Sequence, residues 1–329
     1  MRRCHVALLL ALVLTFAAGH ATANDANPIL FSYFVGNGED GLHLAWSEDG
    51  HTFEPLNDGR PLLKPRVGRH KLMRDPSIAR GPDGQFHMVW TTGWEGNTIG
   101  YARSGDLVHW SKQRAIRPFR DSDGVKNCWA PEVYYDHASS QFVVVWASTI
   151  EDRFPETLDD GHNSYNHRLY AFTTTDFEDI GEAELFHEPG FQVIDGAIFR
   201  PGDRYAMVVK DETLKPEPAK HLFLTFADSA TGSWSEPTEP ITGDYWAEGP
   251  TPLKVGEWWY IYFDKYRKGR FGAVRSRDLE RWQDVSGRIS MPEKARHGTA
   301  FRTPREVLRK LRNLSGNRDY PGRTGEKQR

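Results

Sequence analysis

Cysteine is almost missing from this chain. Two occur in 329 residues, Cys4 and Cys128, and Cys4 lies in a segment that reads as a removable leader. A single remaining thiol excludes an internal disulfide, so the core must hold the fold unaided. A charge excess of one sign is also lacking. Lys and Arg total 42 against 45 for Asp and Glu, a formal net charge of −3. The two signs are interspersed, which leaves no footprint for nucleic acid. Long apolar runs are absent after the first residues, so no later segment is a candidate to span a bilayer.

The first residues form a unit of their own. Arg2 and Arg3 precede an apolar run from Val6 to Ala18, and Ala21-Thr22-Ala23 follows. A charged start, a short apolar stretch and an A-x-A site predict a secretory signal over residues 1–23, cleaved before Asn24. The expected protein is secreted or periplasmic, with no membrane anchor after cleavage. About 300 residues then remain, enough for one large β domain or two smaller ones.

What the chain has in quantity is aromatic side chains, with 11 Trp, 12 Tyr and 18 Phe. They suit a β-rich fold and also a pocket that stacks sugar rings. Their arrangement is repetitive. "RDPSIARGPDGQFHMVWTTGW", "WAPEVYYDHASSQFVVVWAST", "VIDGAIFRPGDRYAMVVKDE" and "AEGPTPLKVGEWWYIYFDKY" share one grammar. Each has an acidic start, an apolar strand, a polar turn and an aromatic strand, and a third strand follows. The turns "GPDGQ", "PGDR" and "VGE" are hairpin chemistry. The starts Asp75, Glu132, Asp195 and Glu248 are 57, 63 and 53 residues apart, a period that indicates β-propeller blades of four antiparallel strands.

A fifth blade is divided between the chain ends. "ILFSYFVGN", "DGLHLAWSEDG" and "HTFEPL" supply its outer strands, and "RHGTAFRT" at 296–303 the inner one, because His297 falls 49 residues after Glu248. Pairing the last strand with the first closes the ring and removes an edge. The sequence thus predicts an all-β, five-bladed propeller within residues 24–303. Residues 304–329 read as a helix and basic tail, with Thr303 as N-cap, Pro304 at the first helical position, Glu306 completing a capping box, and an apolar stripe of Val307, Leu308, Leu311 and Leu314.

First strands of propeller blades line the central channel. A ring of carboxylates at one channel mouth forces their proton affinities apart, and glycosidic cleavage uses one protonated and one ionised carboxyl. The motifs "RDPSI", "NCWAPEV", "VIDGAIF" and "WAEGPTP", the blade ends "SGDLVHW" and "SRDLERW", and the late "RHGT" resemble those of glycoside hydrolase family 43. That family comprises five-bladed propeller arabinosidases, xylosidases and arabinanases. The resemblance implies Asp75 as the general base, Glu248 as the general acid, and Asp195 as the residue that orients the acid and helps it hold its proton. It puts His297 at the channel centre. An inverting mechanism follows from it, on α-L-arabinofuranosides or β-xylosides and with exo action. Glu132 stands where the family more often has Asp, and Gly196 where it usually has Pro.

Arg74, Trp129, Glu132, Trp246 and His297 are the candidate substrate-binding neighbours, the two tryptophans as sugar platforms or as filler between blades. The polar loop 156–167 is expected to wall a pocket. Its His162 and His167 have no metal-ligand spacing, and no metal or other cofactor is expected for catalysis, though a calcium or sodium ion could brace the channel. Asp40 in "GNGEDG" reads as turn chemistry and as a reserve base. The competing readings are a propeller glycosidase for galactan or fructan, and a carbohydrate-binding propeller without catalysis.

Overall fold

The computed structural model describes residues 27–120, 123–161 and 164–314. The leader 1–23, His162 and the tail beyond Leu314 lie outside the described residues.

Among the described residues, nineteen strands form five antiparallel sheets arranged as propeller blades. β1 (Ile29–Tyr33), β2 (His43–Ser47) and β3 (Glu54–Pro55) come first. The next blade holds β4 (Arg74–Arg80), β5 (Phe86–Thr91), β6 (Ile99–Ser104) and β7 (Arg114–Ile116). It is followed by β8 (Trp129–Asp136), β9 (Gln141–Ser148), β10 (Arg168–Thr174) and β11 (Glu184–His187). Then come β12 (Val193–Phe199), β13 (Tyr205–Asp211) and β14 (Leu222–Ala227), and after them β15 (Glu248–Val255), β16 (Trp258–Lys265), β17 (Arg270–Ser276) and β18 (Gln283–Asp284). β19 (Ala300–Arg302) pairs with β1, matching Ile29 to Arg302 and Phe31 to Ala300, so the last strand is the inner strand of the first blade.

One blade has only three regular strands. Segment 235–241 takes the outer place beside β14 through Ser235 N–H to Phe226 O (2.8 Å), Thr238 N–H to Leu224 O (2.9 Å) and Ile241 N–H to Leu222 O (2.8 Å). Pro237 and Pro240 interrupt this segment. Proline has no N–H to give, so a regular ladder cannot run through it.

The aromatic and apolar residues alternate along each strand and fill the gaps between blades. Phe86, Met88 and Trp90 of β5 face the blade of β1, whereas Val89 faces the blade of β8. Five buried clusters result, one for each pair of neighbouring blades. Each fully buried Leu, Val or Phe contributes about 1.5–3 kcal/mol, so adhesion between blades stands in for the missing disulfide. Cys128 is a buried free thiol, pushed up to about 12 by burial.

The blade ends share a turn that explains their recurring motif. Ser47, Ser104, Thr174 and Ser276 each accept the N–H three residues on through the side-chain hydroxyl, at 2.8–2.9 Å. Asp49, Asp106, Asp176 and Asp278 accept the N–H groups that follow. The residue between is left-handed (Gly50, Leu107, Phe177 and Leu279), and this tucks Leu107, Phe177 and Leu279 under the blade.

Helix α1 (Arg305–Asn313) buries Val307, Leu308 and Leu311 against the first two blades, with Leu314 packed beside them. The expected capping box does not form. Pro304 is the capping residue, no side chain caps the helix, and the Thr303 hydroxyl is buried without a hydrogen-bond partner. Apolar docking, rather than capping, holds this helix. No helix among the described residues is long and apolar enough to cross a membrane.

Candidate active site

The inner strands begin at one mouth of the channel and end at the other. At their beginnings lies a cavity of about 500 Å³, and Asp75, Asp195 and Glu248 all face it. Arg74, Trp129, Trp246 and His297 line it as well. Each of the four inner strands with an acidic start carries a bulge there. The left-handed residue of that bulge is Asp75 in β4, Ala130 in β8, Asp195 in β12 and Gly249 in β15.

The phase inferred from sequence is therefore only half right. Asp75 and Asp195 are equivalent, Glu248 precedes its bulge by one residue, and Glu132 follows its own by two. That offset moves Glu132 out of the pocket. It lines the cavity at the opposite channel mouth, accepting hydrogen bonds from Ser77 (2.7 Å) and Thr299 (3.2 Å). Glu132 thus joins three blades rather than touching the ligand space.

His297 plugs the channel between the two cavities. Its Nδ1 lies 3.4 Å from Asp75 and its Nε2 3.7 Å from Glu132. Burial opposes a charge on this ring, but Asp195, Asp75 and Glu132 outweigh it and push its pKa to about 9. Gly249 makes the close approach feasible. It is left-handed, and a Cβ there would come within 2.3 Å of the imidazole ring.

Each of the three pocket carboxylates is held differently. Asp75 accepts the Thr91 hydroxyl at 2.7 Å. Asp195 accepts the Gly249 N–H at 2.9 Å, which ties it to the backbone beside Glu248, and burial raises it to about 6. Glu248 sits between two cations, Lys210 at 3.3 Å and Arg296 at 2.9 Å. Lys210 and Lys220 share Glu212, and Arg296 reaches on to Asp264. Burial opposes ionisation of Glu212, yet the two lysines hold it down at about 2; burial raises Asp264 to about 6.

Sequence reasoning missed this charge chain. The available signal was charge at the closing end of an apolar strand, in "MVVKDE" and "IYFDK". It also missed Trp94, which is 45% exposed at the pocket edge, donates from Nε1 to Asn37 and meets Trp129 edge-on. Trp129 is itself packed against Tyr165 and His167. Buried Arg168 donates to Thr157 and Asn166, and to Glu188, while Tyr165 and His167 back Trp129. Asp40 pairs with His43 and lies outside the pocket. No cluster of metal-ligating side chains occurs among the described residues.

A family model described as a probable glycosyl hydrolase domain, of the family 43-related type, matches residues 25–306. The chain belongs to the family 43-related glycosyl hydrolases. An α-L-arabinofuranosidase of Bifidobacterium longum subsp. longum is 26% identical to it over 199 residues, which is 54% of this chain and 18% of that protein. The chain thus spans about a fifth of that curated relative. Among solved structures, an α-L-arabinofuranosidase from Lactobacillus brevis is similar with a TM-score of 0.53 and 17% identity, over 65% of this chain and 72% of that one. A xylan β-1,4-xylosidase from Bacillus halodurans matches with a TM-score of 0.50 and 19% identity, over 68% of this chain and 42% of that one. At such identities these neighbours carry the five-bladed fold.

Proposed function

We propose that this family 43-related protein is a glycosidase that cleaves α-L-arabinofuranosides or β-xylosides with inversion. One observation carries the reading: Asp75, Asp195 and Glu248, on three different blades, face a single cavity of about 500 Å³. That volume is of the size that small-ligand sites have. Asp75 takes a proton from water as the water attacks the anomeric carbon. Glu248 gives its proton to the departing glycosidic oxygen. Asp195 acts through the Gly249 backbone to position Glu248. The names of the arabinofuranosidase and xylosidase relatives support the pentoside class. A binding propeller without catalysis needs aromatic walls but not this set of carboxylates.

Hydrolysis of a panel of aryl pentosides, aryl hexosides and natural oligosaccharides tests the reading, run beside Asp75→Asn and Glu248→Gln. Cleavage of pentosides that both variants lose is expected, with the inverted anomer first in the NMR spectrum. No cleavage, or full activity in both variants, refutes it. Cleavage of galactans or fructans alone moves the substrate and keeps the mechanism.

A calcium or sodium ion in the channel belongs to the same proposal. Asp75 and Glu132, the carboxylates that His297 faces, offer hard oxygen donors that such an ion would share with the imidazole. Elemental analysis and a melting temperature with and without chelator test it, and no bound metal with no change refutes it. Export rests on the leader pattern, which N-terminal sequencing of exported protein checks at Asn24.

A further inference from the structure

We propose that the glycan bound in this pocket carries an acidic group, a sugar carboxylate or an ester sulfate, which Arg74 and Arg267 receive. The proposal takes the ligand class, a glycan, from the preceding reading and deepens it.

The argument is a charge account of the pocket walls. Lys220, Glu212, Lys210, Glu248, Arg296 and Asp264 form one alternating chain, with successive contacts of 2.7, 2.8, 3.3, 2.9 and 2.5 Å. Each of those three cations touches a carboxylate. His297 in turn faces Asp75 and Glu132. Two lining guanidiniums, Arg74 and Arg267, touch none, while Asp195 is held by a backbone N–H and by no cation. Among the described residues no carboxylate lies within ion-pair distance of either, though Glu39 feels the charge of Arg74.

Both of these guanidiniums lie over indoles. Arg74 lies 4.2 Å over Trp94 and 4.7 Å over Phe34, and donates to Asn37 at 3.0 Å. Arg267 lies 4.4 Å over Trp246. Stacking fixes the plane of a guanidinium and leaves its N–H edge to a ligand. That edge matches a planar or tetrahedral oxyanion with two parallel hydrogen bonds. Arg267 covers one face of Trp246, which places a cation where the pocket wall would otherwise offer a bare indole. Arg74 and Arg267 sit on the two blades that flank the closing one, and each side of the pocket carries one such group.

Calorimetric titration of the native protein at low salt, with trigalacturonate, its neutral methyl ester and a sulfated galactan oligomer, decides the matter. The acid is expected to bind at least about 10-fold tighter than the ester, as charge-assisted hydrogen bonds do. This preference should fall with added salt. It should shrink in Arg267→Lys, which keeps the charge and loses the fork, and vanish in Arg74→Gln/Arg267→Gln. A sulfated oligomer that binds tighter still assigns the group as sulfate. Equal affinity for acid and ester, no binding of either anion, or a preference that survives in the folded double variant overturns the proposal. Binding is read without turnover, so failure of the hydrolysis panel and failure of this test are separate results.

Discussion

The channel has two mouths, and they are built on opposite terms. The cavity where the inner strands end is the larger, about 1310 Å³ against about 500 Å³. Its walls are apolar ledges such as Ile78, Ala197 and Leu253 with solvated arginines at the edge, and Glu132 is spent on bonds between blades. The smaller mouth concentrates carboxylates and cations in contact with one another. Size therefore does not decide which end the proposed chemistry takes. The buried ionisable groups that restrain each other favour the smaller mouth.

The largest test of this contrast is catalytic. Glu248→Gln and Asp75→Asn should each lower kcat/KM on an aryl pentoside by about 10²–10⁴-fold. Arg80→Gln and Arg200→Gln, at the wide mouth, should leave it within about twofold, because surface substitutions away from a site act weakly.

Two left-handed glycines give a second test, read by urea unfolding. A Cβ at Gly249 meets the His297 ring at 2.3 Å, whereas a Cβ at Gly202, which lines the wide mouth, meets nothing. Gly202→Ala should cost about 1–2 kcal/mol from its backbone alone. Gly249→Ala should cost more, about 3 kcal/mol or above, since the clash adds to the same strain.

A third concerns pH. His297 is raised from 6.5 to about 9 in the fold. The folded state then holds a proton more tightly than the unfolded chain, so this stabilisation is complete below pH 6.5. It is lost as pH rises towards 9, on the order of 3 kcal/mol in all. Melting temperatures of the native protein should fall across that window, and those of His297→Gln should fall less. Equal slopes would remove the imidazolium from the channel. The smallest expected effect is at the pocket edge, where Trp94→Ala should raise KM about 2–10-fold with kcat little changed.

Blade number, strand order and ring closure were legible because period-2 burial and the Ser/Thr-x-Asp turn are local and repeat. Asp75, Asp195 and Glu248 were found by the same periodicity. The exact phase was not, since a bulge shifts the register by one residue, and only the backbone reveals which residue is left-handed. Ala130, not Glu132, takes that place in β8. The partners of Glu248 were hidden for another reason. Lys210 and Arg296 lie 38 and 48 residues away in sequence and meet it only when three sheets are in position. The expected cap is absent because Pro304, rather than Thr303, takes the capping position, and the apolar face of α1 holds the helix.

Ring closure also sets a timetable. On the ribosome β1 emerges before the other described strands, and its inner neighbour β19 after all of them. The residue that plugs the channel, His297, arrives with that final stretch. Asp75 and Asp195 are made earlier and wait without their shared counter-charge. Until that stretch is translated, one sheet edge stays open, so a chain cut short before Arg296 is both unclosed and without its central imidazole.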